Sequence, residues 1–301
     1  MSAFLTLLKR EWLEAKAPFL WLPLATLAAI VGLGLLALLV SGTGELHITI
    51  RSNGDLPNWL FMNQWSDPEW AVRMEDFRNL VTAPFYVIYV IAALFVLLGS
   101  LYDERRDRSI LFWKSLPVSD LATVGSKLTL AVWIAPLIFT VCAVAAQLLL
   151  LGVFSIYLAG SDLGSIRDLW SHAGLLRGAS LLIIGFLIQG LWVLPIAGYL
   201  LLVSVSVSRL ALLWAVAIPI LPAIIESLVF RTRILATGIA KHTEPAALPN
   251  FTGDNERIMP DVHGIGDQLA LLVNVDLWIG VLIGAALVYA AARLRGLKNE
   301  L

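Results

Sequence analysis

Residues 82–101 read TAPFYVIYVIAALFVLLGSL, and residues 102–127 that follow read YDERRDRSILFWKSLPVSDLATVGSK. The first stretch is twenty residues without Asp, Glu, Lys or Arg. At 1.5 Å per residue it matches the roughly 30 Å of hydrocarbon in a bilayer. The second stretch turns abruptly polar, yet carries an apolar tip, Ile110-Leu111-Phe112-Trp113. An apolar span feeding a charged loop with an apolar centre is a pattern of membrane proteins, and the rest of the chain repeats the first half of it.

Five more segments are long and apolar enough to span: 19–40, 128–154, 179–203, 210–230 and 269–292. Residues 179–230 are too long for one crossing, so the polar step at 204–209 is read as a turn between two. The composition agrees. Of 301 residues 59% are hydrophobic and 14% charged, against about 45–50% and about 25% in soluble domains. The fold class expected is therefore an all-α membrane protein of six transmembrane helices, forming a single transmembrane domain over 1–301. The first apolar run follows a polar-containing segment and is too long for a signal peptide, so it is read as a retained span. Net charge is −1, which gives no field for nucleic acid.

Lys and Arg set the orientation. Twelve of them fall in short segments on one side: 9–16, 105–127, Arg209 and 293–298; nine fall on the other side in longer, acid-rich loops. The positive-inside rule then places both termini in the cytoplasm, the loop 102–127 in the cytoplasm, and the loops 42–80 and 231–268 outside. An even number of crossings requires the same.

The cytoplasmic face holds two amphipathic elements. In 1–18, Phe4, Leu8, Trp12 and Ala15 fall on one stripe with Lys9, Arg10, Glu14 and Lys16 off it, which predicts an interfacial helix ended by Pro18. In 102–127, Asp103 and Arg106 are three apart and Glu104 and Arg108 four apart, a spacing that pairs opposite charges on one helix face. Ile110 and Trp113, and Phe112 and Leu116, have the same spacings, up to the stop at Pro117. An exposed apolar cluster of this kind either lies back in the lipid interface or is covered by a partner.

With Glu104 to Ser119 in view, the chain resembles the membrane-spanning permeases of type-2 ABC exporters. The resemblance rests on six spans, an amphipathic N-terminal helix, and the stretch ERRDRSILFWKSLPVS at 104–119, which is similar to the family's cytoplasmic coupling segment. The stretches Trp192-Val193-Leu194-Pro195 and Ser208 to Ala215 resemble recurrent stretches of one bacterial subgroup. The likeness implies a permease with no ATPase of its own. It would sit in the bacterial cytoplasmic (inner) membrane beside a second permease, here an identical copy, and would couple to two copies of a separate nucleotide-binding ATPase subunit. Glu104, Arg105, Arg108, Ile110, Phe112, Trp113 and Leu116 would form the ATPase-coupling segment, and Phe4, Leu8 and Trp12 the interfacial helix. ATP and Mg would bind the partner, and this chain would carry no cofactor and no metal. Consistent with that division, no G-x-x-x-x-G-K-[ST] phosphate loop is present. The expected cargo is amphipathic or hydrophobic: a drug, a peptide or a lipid-like molecule.

Polar residues inside the spans are few. Gln147, Gln189, Glu226 and Asp276 are the candidate pathway residues, because intramembrane polar groups default to function. Trp59, Phe61, Trp65 and Trp70 in the first external loop fit interface anchors or an aromatic lid. Gly280 and Gly284 make a small-residue face suited to packing within the chain.

Other classes fit less well. Tyr102-Asp103 and Gly264-Ile265-Gly266-Asp267 imitate the motifs of intramembrane aspartyl proteases, but the topology separates Asp103 and Asp267 by about 30 Å of hydrocarbon. Two carboxylates must share a site to act together. His47, His172, His242 and His263 are scattered without metal-ligand spacing. An ion-coupled secondary transporter or channel without an ATPase is the main alternative; it would call for deep charges or inverted repeats, and neither is visible in the spans.

Overall fold

The computed structural model describes residues 3–41, 66–107, 118–159, 165–207, 209–249, 262 and 264–297. Among these there is no strand, and six helices are long and apolar enough to cross a membrane. The chain begins with α1 (Ala3–Glu14), a π-helical turn (Ala17–Trp21) and α2 (Leu22–Ser41). Then come α3 (Asp67–Arg106), α4 (Asp120–Thr129), a second π-helical turn (Leu130–Ile134) and α5 (Ala135–Ala159). The fourth crossing is α7 (Leu175–Trp192) with α8 (Leu194–Ser206), preceded by the short α6 (Ile166–His172). The fifth is α9 (Ala211–Ile225) with a third π-helical turn (Glu226–Phe230). After α10 (Ile234–Thr243) and α11 (Ile265–Ala270), α12 (Val275–Leu297) makes the sixth.

The spans agree with the sequence reading in number and order, and differ in length. The second was placed at 82–101 and the third at 128–154, but the helices run from Asp67 to Arg106 and from Asp120 to Ala159, 40 residues each. Each is about 60 Å long, twice the hydrocarbon thickness. The last part of the supposed external loop 42–80 is thus helical. Its start is a capping box: Glu69 Oε2 accepts from Ser66 N and Ser66 Oγ, both at 2.8 Å, with Pro68 in the first turn. Trp70, expected at the lipid interface, is instead buried among Met74, Leu151, Leu158 and Leu169, and stacks on His172 at 5.6 Å.

Proline shapes the spans without breaking them. Proline lacks an N–H and its ring crowds the carbonyl of the preceding turn. Two of the π-helical turns, Ala17–Trp21 and Leu130–Ile134, lie just before Pro23 and Pro136, where a wider turn relieves that clash. Before Pro195 the helix is interrupted by a single turn residue, Val193, yet Val193 N still bonds Gln189 O and Ala197 N bonds Val193 O, so α7 runs into α8 without a loop.

The centre of the bundle is α3, α5, α8 and α12. α8 packs closely on α12, and two glycines allow it. A Cβ at Gly284 would lie 2.7 Å from the Leu194 carbonyl carbon, and one at Gly198 would lie 2.8 Å from Gly284 O. Small residues at such a crossing let backbones approach and gain dispersion contacts where lipid gives no hydrophobic drive. On the flanks, α9 buries only Ala215 and α2 only Pro23 and Thr26.

Candidate functional site

The long helix α3 enters the 102–127 segment and α4 leaves it, and the ends they turn to each other meet α1 and the last turn of α12. Glu104 stands at this junction, only 6% exposed. Its Oε1 accepts from Arg10 Nη2 and pairs with Lys127 Nζ, each at 3.0 Å, and its Oε2 accepts from Arg295 Nη2 at 3.1 Å. Four helices therefore converge on one carboxylate. Lys127 also reaches Glu11 Oε2 at 2.9 Å, Arg10 also reaches Glu14 at 2.8 Å, and Arg295 also binds Asp120 at the start of α4. Burying a charge away from water costs several kcal/mol, so it persists only where partners with good geometry answer it. Three cations on one carboxylate meet that condition.

Arg105, the next residue, points the other way. Its Nη2 donates to Ser204 O and Val207 O, both at 2.8 Å. These are carbonyls at the C-terminal end of α8, which a helix leaves without internal partners and which favour a cation. Ser204 Oγ accepts in turn from Leu101 N and Tyr102 N, at 3.1 and 3.0 Å. The end of α3 is so fastened to α1, α4, α8 and α12.

The sequence placed Glu104 opposite Arg108 along an exposed helix, with Arg105 beside them. Both Glu104 and Arg105 are instead buried in the junction. Arg108, Ile110, Phe112, Trp113 and Leu116 lie outside the described residues. The face that α1 turns to the bundle also differs from the expected stripe. Leu7, Glu11 and Ala15 are its buried residues, Leu8 and Trp12 are half-buried, and Phe4 is exposed. Burial pushes the Glu11 carboxyl above its ordinary value, against the opposing pull of Lys127 and Arg10.

Arg10, Glu11, Lys127 and Arg295 were not singled out as site residues. Two signals were available. Glu11 falls at helical spacing between Leu7 and Ala15, on the apolar side of α1, and Lys127 opens an otherwise apolar span. A charge at a position whose period calls for an apolar residue needs a buried partner.

The four candidate pathway residues do not come together. Gln147 Nε2 donates to Thr82 Oγ1 at 3.0 Å, joining α5 to α3. Gln189 receives Ala247 N and donates to Glu244 O, both at 3.0 Å, clamping the segment after α10 onto α7. Gln268, unnoticed in the sequence, does the same from α11 through Leu181 O and Ala247 O. Glu226 accepts from Thr232 Oγ1 and from the N–H groups of Ile234 and Leu235, at 2.7–2.8 Å, and so caps the start of α10. Asp276 pairs with Lys241 at 2.9 Å while both stay partly exposed. Gly280 faces the His242 ring, which stacks on Trp192 at 5.5 Å, so this small-residue face packs within the chain.

A cleft of about 740 Å³ opens beside the charge junction, between α1 with the start of α2 and the second half of α3. Five carboxylates and two cations line its polar end, and aliphatic and aromatic side chains line the rest. Among the described residues no three His, Cys, Asp or Glu side chains form a group that could hold a metal ion. No family model, no curated protein and no solved structure matches this chain.

Proposed function

We propose that the chain is the membrane-spanning permease subunit of an ATP-driven ABC exporter, coupled through its 102–127 loop to a separate ATPase and working as a pair of identical copies. The observation that carries the reading is the junction at Glu104. A loop that only joined two spans would need no buried anchorage. This one is rooted in four helices by Glu104 and in a fifth by Arg105, so a force on its tip is passed to the whole bundle. α1 lies along the cytoplasmic interface and braces the junction through Arg10 and Glu11.

The second copy is supported by the flanks. α2 and α9 leave their outer faces uncovered, and six crossings are half of what this exporter class uses. The fit is to a pair that encloses the path between copies, with lipid on the remaining surface. Native mass spectrometry of the complex purified from its own membrane tests this composition. Two permeases with two ATPase subunits is the expected mass. One permease with two ATPases, or two non-identical permeases, would contradict the paired copy; an absence of ATPase in every preparation would contradict the coupling.

A further inference from the structure

The cleft beside Glu104 has two chemically distinct ends. Towards the membrane interior its wall is apolar, from Leu22 on α2 to Ile88, Ile91, Phe95 and Val96 on α3. At the end nearest the N-terminus it is acidic, with Glu14, Asp103 and Asp107 beside the buried Glu11 and Glu104. Arg10 and Lys127 are the two cations on that wall, and both are already engaged: Arg10 with Glu14 and Glu104, Lys127 with Glu11 and Glu104. Asp103 and Asp107 are exposed, one helical turn apart on the cleft side of α3. Gly99, one turn before Asp103, has no side chain, and the Asp103 carboxylate folds over it: a Cβ there would lie 2.9 Å from Asp103 Oδ2. The volume lies within the roughly 300–1,000 Å³ of drug-sized ligand sites.

We propose that this cleft binds a cationic amphiphile, with its positive head between Asp103, Asp107 and Glu14 and its apolar body along Ile88, Ile91 and Phe95. The charge of the wall selects the class. An anionic headgroup would meet five carboxylates, whereas a cation is attracted to Asp103 and Asp107, the carboxylates left over, with Arg106 nearby, once Arg10, Lys127 and, from behind the wall, Arg295 are engaged by Glu11, Glu14 and Glu104. The cleft straddles the end of the apolar span, so a ligand resting at the membrane surface needs no passage through hydrocarbon to reach it. Its wall is shared with Glu104 and Lys127, so occupancy would bear directly on the junction. The proposal rests on the transporter reading only for the fate of the ligand; binding itself requires no ATPase.

The test uses the full chain in nanodiscs of zwitterionic lipid, without any ATPase, and a photoreactive dodecyltrimethylammonium as probe. Cross-links mapped by mass spectrometry should concentrate on peptides of α1, the start of α2 and α3 from 88 to 107. Unlabelled dodecyltrimethylammonium should compete and dodecyl sulfate should not. Asp103→Asn with Asp107→Asn removes two exposed charges, which keeps the buried core intact, and should weaken labelling on the order of threefold to tenfold. Ile91→Ser should weaken it without changing the charge preference. Labelling spread evenly over the exposed faces of α2, α9 and α12, equal competition by the sulfate, or undiminished labelling of the double variant would each overturn the proposal and leave the cleft as a lipid-filled groove. Because the assay contains no nucleotide or ATPase, a failure here leaves the exporter reading standing, and a failure of that reading leaves this result standing.

Discussion

Arg295 Nη2, in the last turn of α12, donates to Glu104 Oε2 at 3.1 Å across 191 positions of sequence. Both side chains are almost fully buried. The end of the sixth span is thereby pinned to the root of the loop between the second and third, and Arg10 and Lys127 complete the clamp from α1 and α4. Removing the shared carboxylate would leave each of the three cations with one partner fewer, Arg10 on Glu14, Lys127 on Glu11 and Arg295 on Asp120, at a junction that is largely buried.

Glu104→Gln should therefore destabilise the protein by about 3–5 kcal/mol, the cost of breaking a buried ion pair from one side. Thermal unfolding in detergent checks this, with Asp107→Asn as the exposed control expected to change little. Equal melting temperatures for the two variants would contradict the clamp. Read from the sequence alone, Glu104 pairs with Arg108 at helical spacing, and nothing there ties it to α1 or α12.

Glu11 should behave in the opposite sense. A carboxyl whose folded-state value is raised contributes stability in full below its unfolded value, near 4.5, and loses it as pH rises through the folded value. Gln at position 11 is uncharged throughout, so Glu11→Gln should gain on the wild type as pH rises from below about 4.5 towards neutrality. Melting temperatures of both proteins across that range decide it. A variant whose melting temperature stays at a fixed offset from the wild type, or falls relative to it with rising pH, would show that Lys127 outweighs burial.

Gly284→Leu should force α8 and α12 apart, because even its Cβ would lie 2.7 Å from the backbone at Leu194. The expected loss is about 1–3 kcal/mol or more, as for overpacked cores. Gly152→Leu, where a Cβ meets nothing within 4 Å, is the comparison and should be tolerated. Similar melting temperatures for the two would argue against the glycine crossing.

How far the fold was legible follows from which forces act locally. Each apolar run of about 20 residues announces a span by itself, so number and order were readable. Helix ends were not, because once a helix leaves the bilayer its continuation depends on caps and tertiary partners. Ser66 and Glu69 form a capping box that is visible in the sequence and was overlooked. The junction was harder. Glu104 and Arg108 have ideal spacing for a local pair, and nothing local reveals that Arg10 and Arg295, at opposite ends of the chain, come to the same carboxylate. Gln147 and Gln189 were misleading for a related reason: a buried amide must be satisfied, and here tertiary clamps satisfy it.

Topology gives an independent check. Cysteine at Lys9 should react with a membrane-impermeant maleimide only from the cytoplasm, and cysteine at Ser165, between the third and fourth spans, only from outside. The native Cys142 is buried and adds little background. Labelling of both from the same side would overturn six crossings with cytoplasmic termini.

The central claim is that the 102–127 loop docks a motor. Burying a large apolar side chain is worth roughly 1.5–3 kcal/mol, against roughly 0–1 kcal/mol for an exposed ion pair. Trp113, rather than the charges around it, should then carry affinity. The direct measurement is the amount of ATPase subunit that copurifies with the tagged wild-type chain and with Trp113→Ala from the same membranes. The account predicts one ATPase per wild-type chain and a loss of about tenfold or more for the variant, with melting temperature unchanged. No ATPase with the wild type, or equal amounts with both, would contradict it.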